Sequence, residues 1–273
     1  MNSTLKLSPV NAGAETGPDL LWERIRAEAQ DAVREEPLLG ALIHAGLLHH
    51  PTLAAALSYR FSLKLASNEM SEQILRELAD QAHAADPDLT DAARADLWAV
   101  HERDPATHYL MQPMLFFKGF QALQAYRIAH WLWRVERHNM ARFVQMRCSE
   151  VFGVDIHPAA RIGRGIMIDH AHSIVIGETA VVGDDVSMLH SVTLGGTGKE
   201  DGDRHPKIGN GVLIGAGAKV LGNIHVGNNS RIAAGSVVLE DVPSCKTVAG
   251  VPARIVGDAG CRDPAISMDH TLR

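Results

Sequence analysis

A six-residue repeat between positions 156 and 238 constrains the fold of this chain more than any other feature of its sequence. The repeat positions are all small or branched aliphatics, and a loop at 198–207 interrupts them without changing their phase. They are Ile156, Ile162, Ile168, Ile174, Ala180, Val186, Val192, Ile208, Ile214, Val220, Val226, Ile232 and Val238. An α-helix repeats its apolar face every three to four residues and a simple strand every two, so neither explains a period of six. The period predicts a coil with three short faces, whose stacked turns form parallel strands.

Small residues lie between the repeat positions, where such a coil must turn. The segments Ile162-Gly-Arg-Gly-Ile, Ile208-Gly-Asn-Gly-Val and Ile214-Gly-Ala-Gly-Ala place Gly, Asn or Ala there. Gly and Asn in particular tolerate a left-handed backbone at a corner. The pattern resembles the hexapeptide-repeat family of left-handed parallel β-helices, and the left hand is implied by that resemblance alone. At about eighteen residues per coil, we expect four to five coils.

Composition excludes several classes of protein. The net charge is −6 and no run of Lys or Arg is present, which argues against a nucleic-acid partner. The sequence has neither a signal-peptide core nor an apolar run of membrane length, so we expect no membrane association. Cys148, Cys245 and Cys261 are odd in number and lack metal-ligand spacing, which predicts reduced thiols and a cytoplasmic location.

The period changes along the chain and divides it into four parts. We predict a mobile tail at 1–18, an all-helical domain at 19–152, the β-helix at 153–256 and a C-terminal tail at 257–273, which together make an α+β architecture. Ser71 is the predicted N-cap of one helix. The most apolar helix is predicted at Pro113–Arg137, and we expect its aromatics, Phe116 to Trp133, to pack between subunits.

Polar residues in four places are not explained by a solenoid core. They are the segments Asp155-Ile-His157, Asp169-His170-Ala171, Gly195-Gly-Thr-Gly-Lys199 with Asp203-Arg-His-Pro206, and Arg103-Asp104. With the helical run that begins Lys118-Gly-Phe-Gln-Ala-Leu-Gln-Ala-Tyr126, these segments resemble the serine acetyltransferase family, which makes O-acetylserine for cysteine biosynthesis. The resemblance extends from about Asp19 to Gly257. It implies an acyltransferase that uses acetyl-CoA and L-serine, without a metal.

The chemistry of that reaction accounts for the catalytic residues that the resemblance implies. A serine hydroxyl is a weak nucleophile at neutral pH, so its attack on a thioester needs a general base, and histidine suits with a pKa near ~6.5. The resemblance assigns this role to His170, with Asp155 orienting the imidazole. Fifteen residues separate the two, so we expect them on adjacent coils about 5 Å apart. His205 is implied as a contact to substrate or to the developing oxyanion.

The resemblance also implies the binding residues. Asp104 and Asp169 match the acids that bind the substrate ammonium, and Arg204 matches the cation that binds its carboxylate. Gly196, Ala216 and Ala234 are implied to line the acetyl-CoA groove, and Arg254 to meet a CoA phosphate. The sequence predicts structural or surface roles for His157, His172 and His190.

Three alternatives stay open on the sequence. His170, His172 and His205 could bind zinc in a hydratase on the same fold. That alternative would leave Asp155, Asp104 and Arg204 without roles. An acetyltransferase of sugars would share the β-helix but lack the long helical domain, and a non-catalytic scaffold would not need the polar set.

Assembly and regulation are expected from the resemblance as well. It implies a homotrimer with a site in each cleft, two trimers forming a hexamer, and inhibition by L-cysteine at the serine site. Relatives dock a C-terminal isoleucine into O-acetylserine sulfhydrylase. This sequence ends Thr271-Leu272-Arg273, which predicts either no such complex or a different mode of docking.

Overall fold

The computed structural model describes residues 19–198, 201–260 and 263–271. The predicted tail at 1–18 lies outside the described residues. Helices fill the chain as far as Phe152. The predicted cap Ser71 begins one of them, because its Oγ accepts from Ile74 N over 3.4 Å. Asp19, which was not predicted as a cap, begins the first, because its Oδ1 accepts from Trp22 N over 3.2 Å. The helices are α1 Leu20–Glu35, α2 Gly40–Ile43 between a 3-10 turn Pro37–Leu39 and a π-helical turn His44–Leu48, α3 Leu53–Leu65, α4 Glu72–Ala85, α5 Asp88–Arg103, α6 Met111–Phe116, α7 Lys118–Arg134 and α8 His138–Phe152.

The helix predicted at Pro113–Arg137 is two helices, because the backbone of Phe117 is extended between α6 and α7 (φ −99°, ψ 106°). The break directs α7 onto the β-helix. A methyl group at Gly119 would lie 2.0 Å from the carbonyl oxygen of Ile168, so only glycine permits this approach.

Three aromatic side chains of α7 are buried inside this chain, and a fourth, Trp133, is half-buried. Phe120, Tyr126 and Trp131 are 3%, 3% and 9% exposed, and Tyr126 Oη donates to the carbonyl of Ala160. The prediction that these aromatics pack subunits together is therefore wrong for them, because α7 lies between α8 and the first coils of the β-helix. Of the aromatics that begin the run, Phe116 is exposed.

Beyond α8, the strands form a parallel β-helix with three faces. Face A contains β1 Val154–Ile156, β4 Ile174–Ile176, β7 Thr193–Gly195, β10 Lys219–Leu221 and β13 Val237–Val238. Face B contains β2 Arg161–Ile162, β5 Val181–Val182, β8 Lys207–Ile208 and β11 His225–Val226. Face C contains β3 Met167–Ile168, β6 Ser187–Met188, β9 Leu213–Ile214, β12 Arg231–Ile232, β14 Lys246–Gly250 and β15 Ala253–Asp258, the last pairing antiparallel to β14.

The six-residue repeat fills the core as predicted. Every repeat position is buried except Ile162, which is half-buried. The first coil is longer than the expected eighteen residues, because Ile156 pairs with Ile176, twenty residues further along the chain. Val175 then pairs with Thr193, eighteen residues on. Two additional residues preserve the inward orientation because side chains alternate between the faces of a strand with a period of two.

Two edges of this prism concern the site. Edge AB consists of the described residues that connect face A to face B, at 157–160, 177–180, 196–198 with 201–206, and 222–224. Edge CA consists of those that connect face C to face A, at 169–173, 189–192, 215–218 and 233–236. Along edge CA, Gly217 N donates to His190 O over 2.9 Å and Gly235 N donates to Ala216 O over 2.8 Å, so successive corners are stacked.

The described C-terminal segment, residues 263–271, contacts face C. A short helix, α9 Pro264–Ser267, lies against α5 and β9, and Ser187 Oγ donates to Ala265 O over 2.8 Å. Arg231 Nη1 donates to Thr271 O over 2.9 Å. Part of the segment predicted as a tail is therefore held on the prism.

No single helix in the described part of the chain is long and apolar enough to cross a membrane. One helix pair bent by 119°, Pro37–Leu48 with Leu53–Leu65, meets the criteria of length and composition when taken together.

Candidate active site

A cleft of about 390 Å³ lies at edge AB, between α8 and the first coils of the β-helix. Three residues predicted for the site, Asp155, Arg204 and His205, line it. Gln145 of α8 and Glu178 of the corner 177–180 line it with them. The cleft therefore combines two carboxylates with guanidinium and imidazole groups.

Asp155 lies in the middle of β1 and faces out of the core, because Val154 and Ile156 on either side of it are buried. Its Oδ1 accepts a hydrogen bond from Gln145 Nε2 over 2.7 Å. A neutral amide donor fixes the orientation of the carboxylate without neutralising its charge. Asp155 can therefore stabilise a cation that forms beside it.

Arg204 and Glu178 form an ion pair in the same cleft. Arg204 Nη2 lies 2.6 Å from Glu178 Oε2, and Arg204 Nη1 donates to Gly202 O over 3.1 Å. The hydrogen bond from Arg204 lowers the pKa of Glu178. Held in this way, the guanidinium still has donors for a second carboxylate, since it carries five N–H groups.

His205 is almost fully buried at the back of the cleft. A methyl group at Gly177 would lie 2.0 Å from both Cδ2 and Nε2 of the ring, so the imidazole occupies the space that a side chain at 177 would need. Burial, and then the charge of Arg204, lower the pKa of His205. The ring is therefore neutral at neutral pH.

His170 and Asp169 lie elsewhere, at edge CA directly after β3. The side chain of His170 is 70% exposed, and its Nε2 lies 3.6 Å from Asp169 Oδ2. Its ring is also near that of His190, with centroids 5.8 Å apart and planes at 78°. The backbone of His170 is left-handed (φ 57°), a conformation that costs a non-glycine residue of order 1–2 kcal/mol.

Asp104 is the C-cap of α5, which packs on face C at β3. Its carboxylate accepts from Ala106 N over 2.9 Å and from Thr107 Oγ1 over 2.8 Å. These bonds fix the turn that follows the helix and hold the carboxylate at its end.

Asp155 and His170 were expected on adjacent coils, but within one chain they are not neighbours. Asp155 is paired with Val175 on face A, whereas His170 is at the corner that precedes that face. The first coil has twenty residues, so a separation of fifteen ends at a different edge of the prism. No hydrogen bond joins the two residues in the described part of the chain.

The residues predicted to line the acetyl-CoA groove are also distributed over the two edges. Ala216 and Ala234 are stacked along edge CA with His170, whereas Gly196 is at edge AB beside Arg204. Arg254 is exposed on β15, where its Nη1 lies 3.5 Å from Glu240 Oε1.

Several residues of the cleft were not predicted. His157, for which a structural or surface role was predicted, lines the cleft, and so do Arg142 and Gln145 from α8. A signal existed for Glu178 and Thr179: they put polar side chains at a corner whose counterpart at 222–224 reads Gly-Asn-Ile. Nothing in the sequence could have placed α8 there, because that contact is tertiary.

Among the described residues, no group of three or more His, Cys, Asp or Glu side chains could hold a metal ion. His205 is at edge AB and His170 at edge CA, so the three histidines of the zinc alternative do not converge within one chain.

Comparison with known proteins gives a consistent result. Residues 21–125 match the family model "Serine acetyltransferase, N-terminal", and residues 205–240 match "Bacterial transferase hexapeptide (six repeats)". The chain is 56% identical to the serine acetyltransferase of Salmonella typhimurium over 252 residues, 92% of each protein. It also resembles the crystal structure of serine acetyltransferase in complex with coenzyme A from Brucella abortus, with 54% identity, a TM-score of 0.87 and coverage of 89% of this chain and 98% of that one.

A structure of serine acetyltransferase in complex with cysteine is 50% identical, with a TM-score of 0.91 and coverage of 93% of this chain and 98% of that one. These similarities extend over both the helical part and the β-helix. The chain therefore belongs to the serine acetyltransferase family.

Proposed function

We propose that this protein transfers the acetyl group of acetyl-CoA to the hydroxyl of L-serine and releases O-acetyl-L-serine and CoA. The observation that carries the proposal is the complementarity of its two edges. Edge AB offers Arg204 for a carboxylate, and edge CA offers Asp169 for an ammonium and His170 for a hydroxyl proton. An amino acid with a side-chain hydroxyl needs all three.

In the reaction, His170 acts as the general base. It removes the proton of the serine hydroxyl as the oxygen attacks the thioester carbonyl, and the proton is later passed to the departing CoA thiolate. Asp155 stabilises the imidazolium that forms, and Asp104 joins Asp169 in binding the ammonium. His205 contacts the oxygen on which negative charge develops. Gly196, Ala216 and Ala234 line the acetyl-CoA groove, and Arg254 meets a CoA phosphate.

The active protein is a homotrimer in this proposal. Edge AB of one copy faces edge CA of the next, so that Asp155, Arg204 and His205 of one copy complete the site with Asp169 and His170 of its neighbour. The separation of these residues within one chain supports the arrangement, because neither edge holds a complete site. Two trimers then form a hexamer through residues 19–152, the β-helix at 153–256 carries the chemistry, and the reaction takes place in the cytoplasm.

L-Cysteine is the proposed feedback inhibitor. It has the ammonium and carboxylate of serine and replaces the hydroxyl by a thiol, so the same residues bind it. The relative crystallised with cysteine supports this proposal.

The test is release of CoA thiol from acetyl-CoA in the presence of L-serine, for the wild type and His170→Ala. Loss of a general base should lower kcat by roughly 10²–10⁴. His225→Ala is the matched control, because the side chain of His225 is exposed to the same extent, 70%, on a different part of the prism. Wild-type turnover should persist in a chelator and be inhibited by L-cysteine.

Turnover that does not depend on serine would reject the proposed acceptor, as would equal activity of His170→Ala and the wild type for the proposed base. Loss of activity in the chelator, restored by zinc, would instead favour the hydratase alternative.

A further inference from the structure

Thr179 lies in the corner 177–180 of edge AB and touches the loop that carries Arg204 and His205. Its Oγ1 accepts hydrogen bonds from the backbone N–H of Arg204 over 3.0 Å and of His205 over 3.1 Å. A hydroxyl oxygen has two lone pairs, and these two bonds occupy both. The hydroxyl hydrogen of Thr179 therefore remains to be donated.

The acceptor for this hydrogen is Nδ1 of His205, which lies 2.9 Å from Thr179 Oγ1. The backbone N–H of Thr179 donates to the same nitrogen over 3.2 Å. In a neutral imidazole one nitrogen carries the proton and the other accepts. Because Nδ1 receives two donors, it is the acceptor, and the proton of His205 is on Nε2.

Asp203 is the competing acceptor for the Thr179 hydroxyl. Its bond to Lys207 Nζ, with a smaller contribution from Thr179, lowers the pKa of the Asp203 carboxyl. The backbone N–H of Thr179 has a single acceptor in the described structure, and it donates to Nδ1 wherever the hydroxyl points. The tautomer of His205 therefore does not depend on Asp203.

Protonation of His205 would place a hydrogen on Nδ1, where it would face the backbone N–H and the hydroxyl hydrogen of Thr179. The charged and titratable groups around the ring are Arg204, Glu178, Lys207 and His157. Of these, Glu178 is already paired with Arg204, so its carboxylate offers little compensation. The ring stays neutral, and Nε2 has no hydrogen-bond partner among the described residues of the chain.

We propose that Thr179 is a positioning residue that holds His205 in its Nε2–H tautomer, so that His205 serves the acetyl transfer as a hydrogen-bond donor. The donor faces the oxygen that gains negative charge when the serine hydroxyl attacks the thioester. His205 has no lone pair left for the hydroxyl proton, which assigns proton removal to His170. This inference rests on the proposed function and adds Thr179 to its machinery.

The first experiment measures the tautomer without relying on activity. Nitrogen-15 solid-state spectra are recorded on the sedimented full chain, labelled at histidine, at neutral pH, and His205 is assigned by difference with His205→Gln. We expect an unprotonated Nδ1 and a protonated Nε2 in the wild type, in Thr179→Ser and in Asp203→Asn. Thr179→Val removes the hydroxyl donor and keeps the backbone N–H donor, so it should show a larger share of the other tautomer than the wild type while Nε2–H stays the major form.

The second experiment measures serine-dependent acetyl transfer. His205→Ala should lower kcat by about 10²–10³, as for loss of one oxyanion donor. His205→Gln keeps an N–H near the position of Nε2 and should retain at least about tenfold more activity than His205→Ala. Thr179→Val should lower kcat by about tenfold, with Thr179→Ser restoring most of it. Because valine also leaves the N–H groups of Arg204 and His205 without their acceptor, the tautomer spectrum and not this rate separates the positioning role from a structural one.

A wild-type spectrum with a protonated Nδ1 or a charged His205 would overturn the inference whatever the activity. Equal loss of activity in His205→Gln and His205→Ala would overturn the donor role. If the wild type instead showed no serine-dependent transfer, the proposed function would fail, while the spectra would still decide the tautomer.

Discussion

Asp96 is buried where the helical part meets the β-helix, and its replacement should be the most damaging single change away from the site. Its carboxylate accepts from Gln124 Nε2 over 2.9 Å, from Arg127 Nε and Nη2 over 2.9 and 2.8 Å, and from the backbone N–H of Ile166 over 2.9 Å. Arg127 also donates to Gly163 O over 2.8 Å. The network therefore attaches α5 and α7 to the first coil.

The expected cost follows from burial. The side chains of Asp96 and Arg127 are 0% and 8% exposed, so Asp96→Ala leaves an uncompensated guanidinium in the interior. Breaking such a pair costs about 3–5 kcal/mol of the free energy of unfolding. Removing both charges in Asp96→Ala/Arg127→Met should cost less than Asp96→Ala alone, because no buried charge is left unpaired.

The assay is urea unfolding followed by circular dichroism at one fixed protein concentration, since the proposed assembly would make the midpoint depend on concentration. The control is Asp80→Ala, which breaks the Arg76–Asp80 pair on α4, where the side chains are 29% and 49% exposed. That pair should contribute about 0.3–0.5 kcal/mol. Asp96→Ala should also raise the KM for serine, because α5 ends at Asp104.

Two results would refute this reasoning. One is an Asp96→Ala protein destabilised no more than Asp80→Ala. The other is a double variant less stable than Asp96→Ala.

Three further changes test individual contacts. Gln145→Leu removes the hydrogen bond to Asp155 and should lower kcat/KM by about tenfold, equivalent to about 1.4 kcal/mol; an unchanged value would show that this bond does not orient the carboxylate. Glu178→Ala should raise the KM for serine severalfold with little change in kcat, because Arg204 loses its partner, and Glu178→Gln should lie between it and the wild type in steady-state kinetics. Burial lowers the pKa of His83 to about 4, so the folded state binds its proton less readily than the unfolded state. The contribution of His83 to the free energy of unfolding is present above pH ~6.5 and is lost as the pH falls towards 4, by up to about 3 kcal/mol. His83→Gln should therefore flatten the pH dependence of urea unfolding between these pH values. An unchanged slope would contradict the burial argument.

The β-helix could be predicted in detail because its signal is local and repeated. Each coil places a new residue such as Val186 or Ile214 in the core at a fixed spacing, so an error in one coil does not spread to the next. The two additional residues of the first coil illustrate this: they changed the partner of Ile156 from the expected position to Ile176 while both side chains stayed inside. The helix caps at Asp19 and Ser71 were predictable for the same reason, since a cap bonds to a residue three positions on.

The distances between the site residues, in contrast, could not be predicted from a local pattern. The sequence predicted Asp155 and His170 on adjacent coils about 5 Å apart, because fifteen residues are close to one coil of eighteen. The structure puts Asp155 on face A, where it lines the cleft at edge AB, and His170 at edge CA, because coil length decides where on the prism a residue falls. Likewise α8 brings Gln145 to Asp155, and Thr179 meets His205 across a coil and a loop.

The sequence by itself determined the type of fold, the core of the β-helix and the residue types of the site, because a short period and a set of reactive side chains are properties of neighbouring positions. Only the tertiary structure decided which of those side chains meet, which tautomer His205 adopts and where the aromatics of α7 are buried. These depend on contacts between segments far apart in the chain, such as Arg127 with Asp96 and Gly163, and no local pattern encodes their distance.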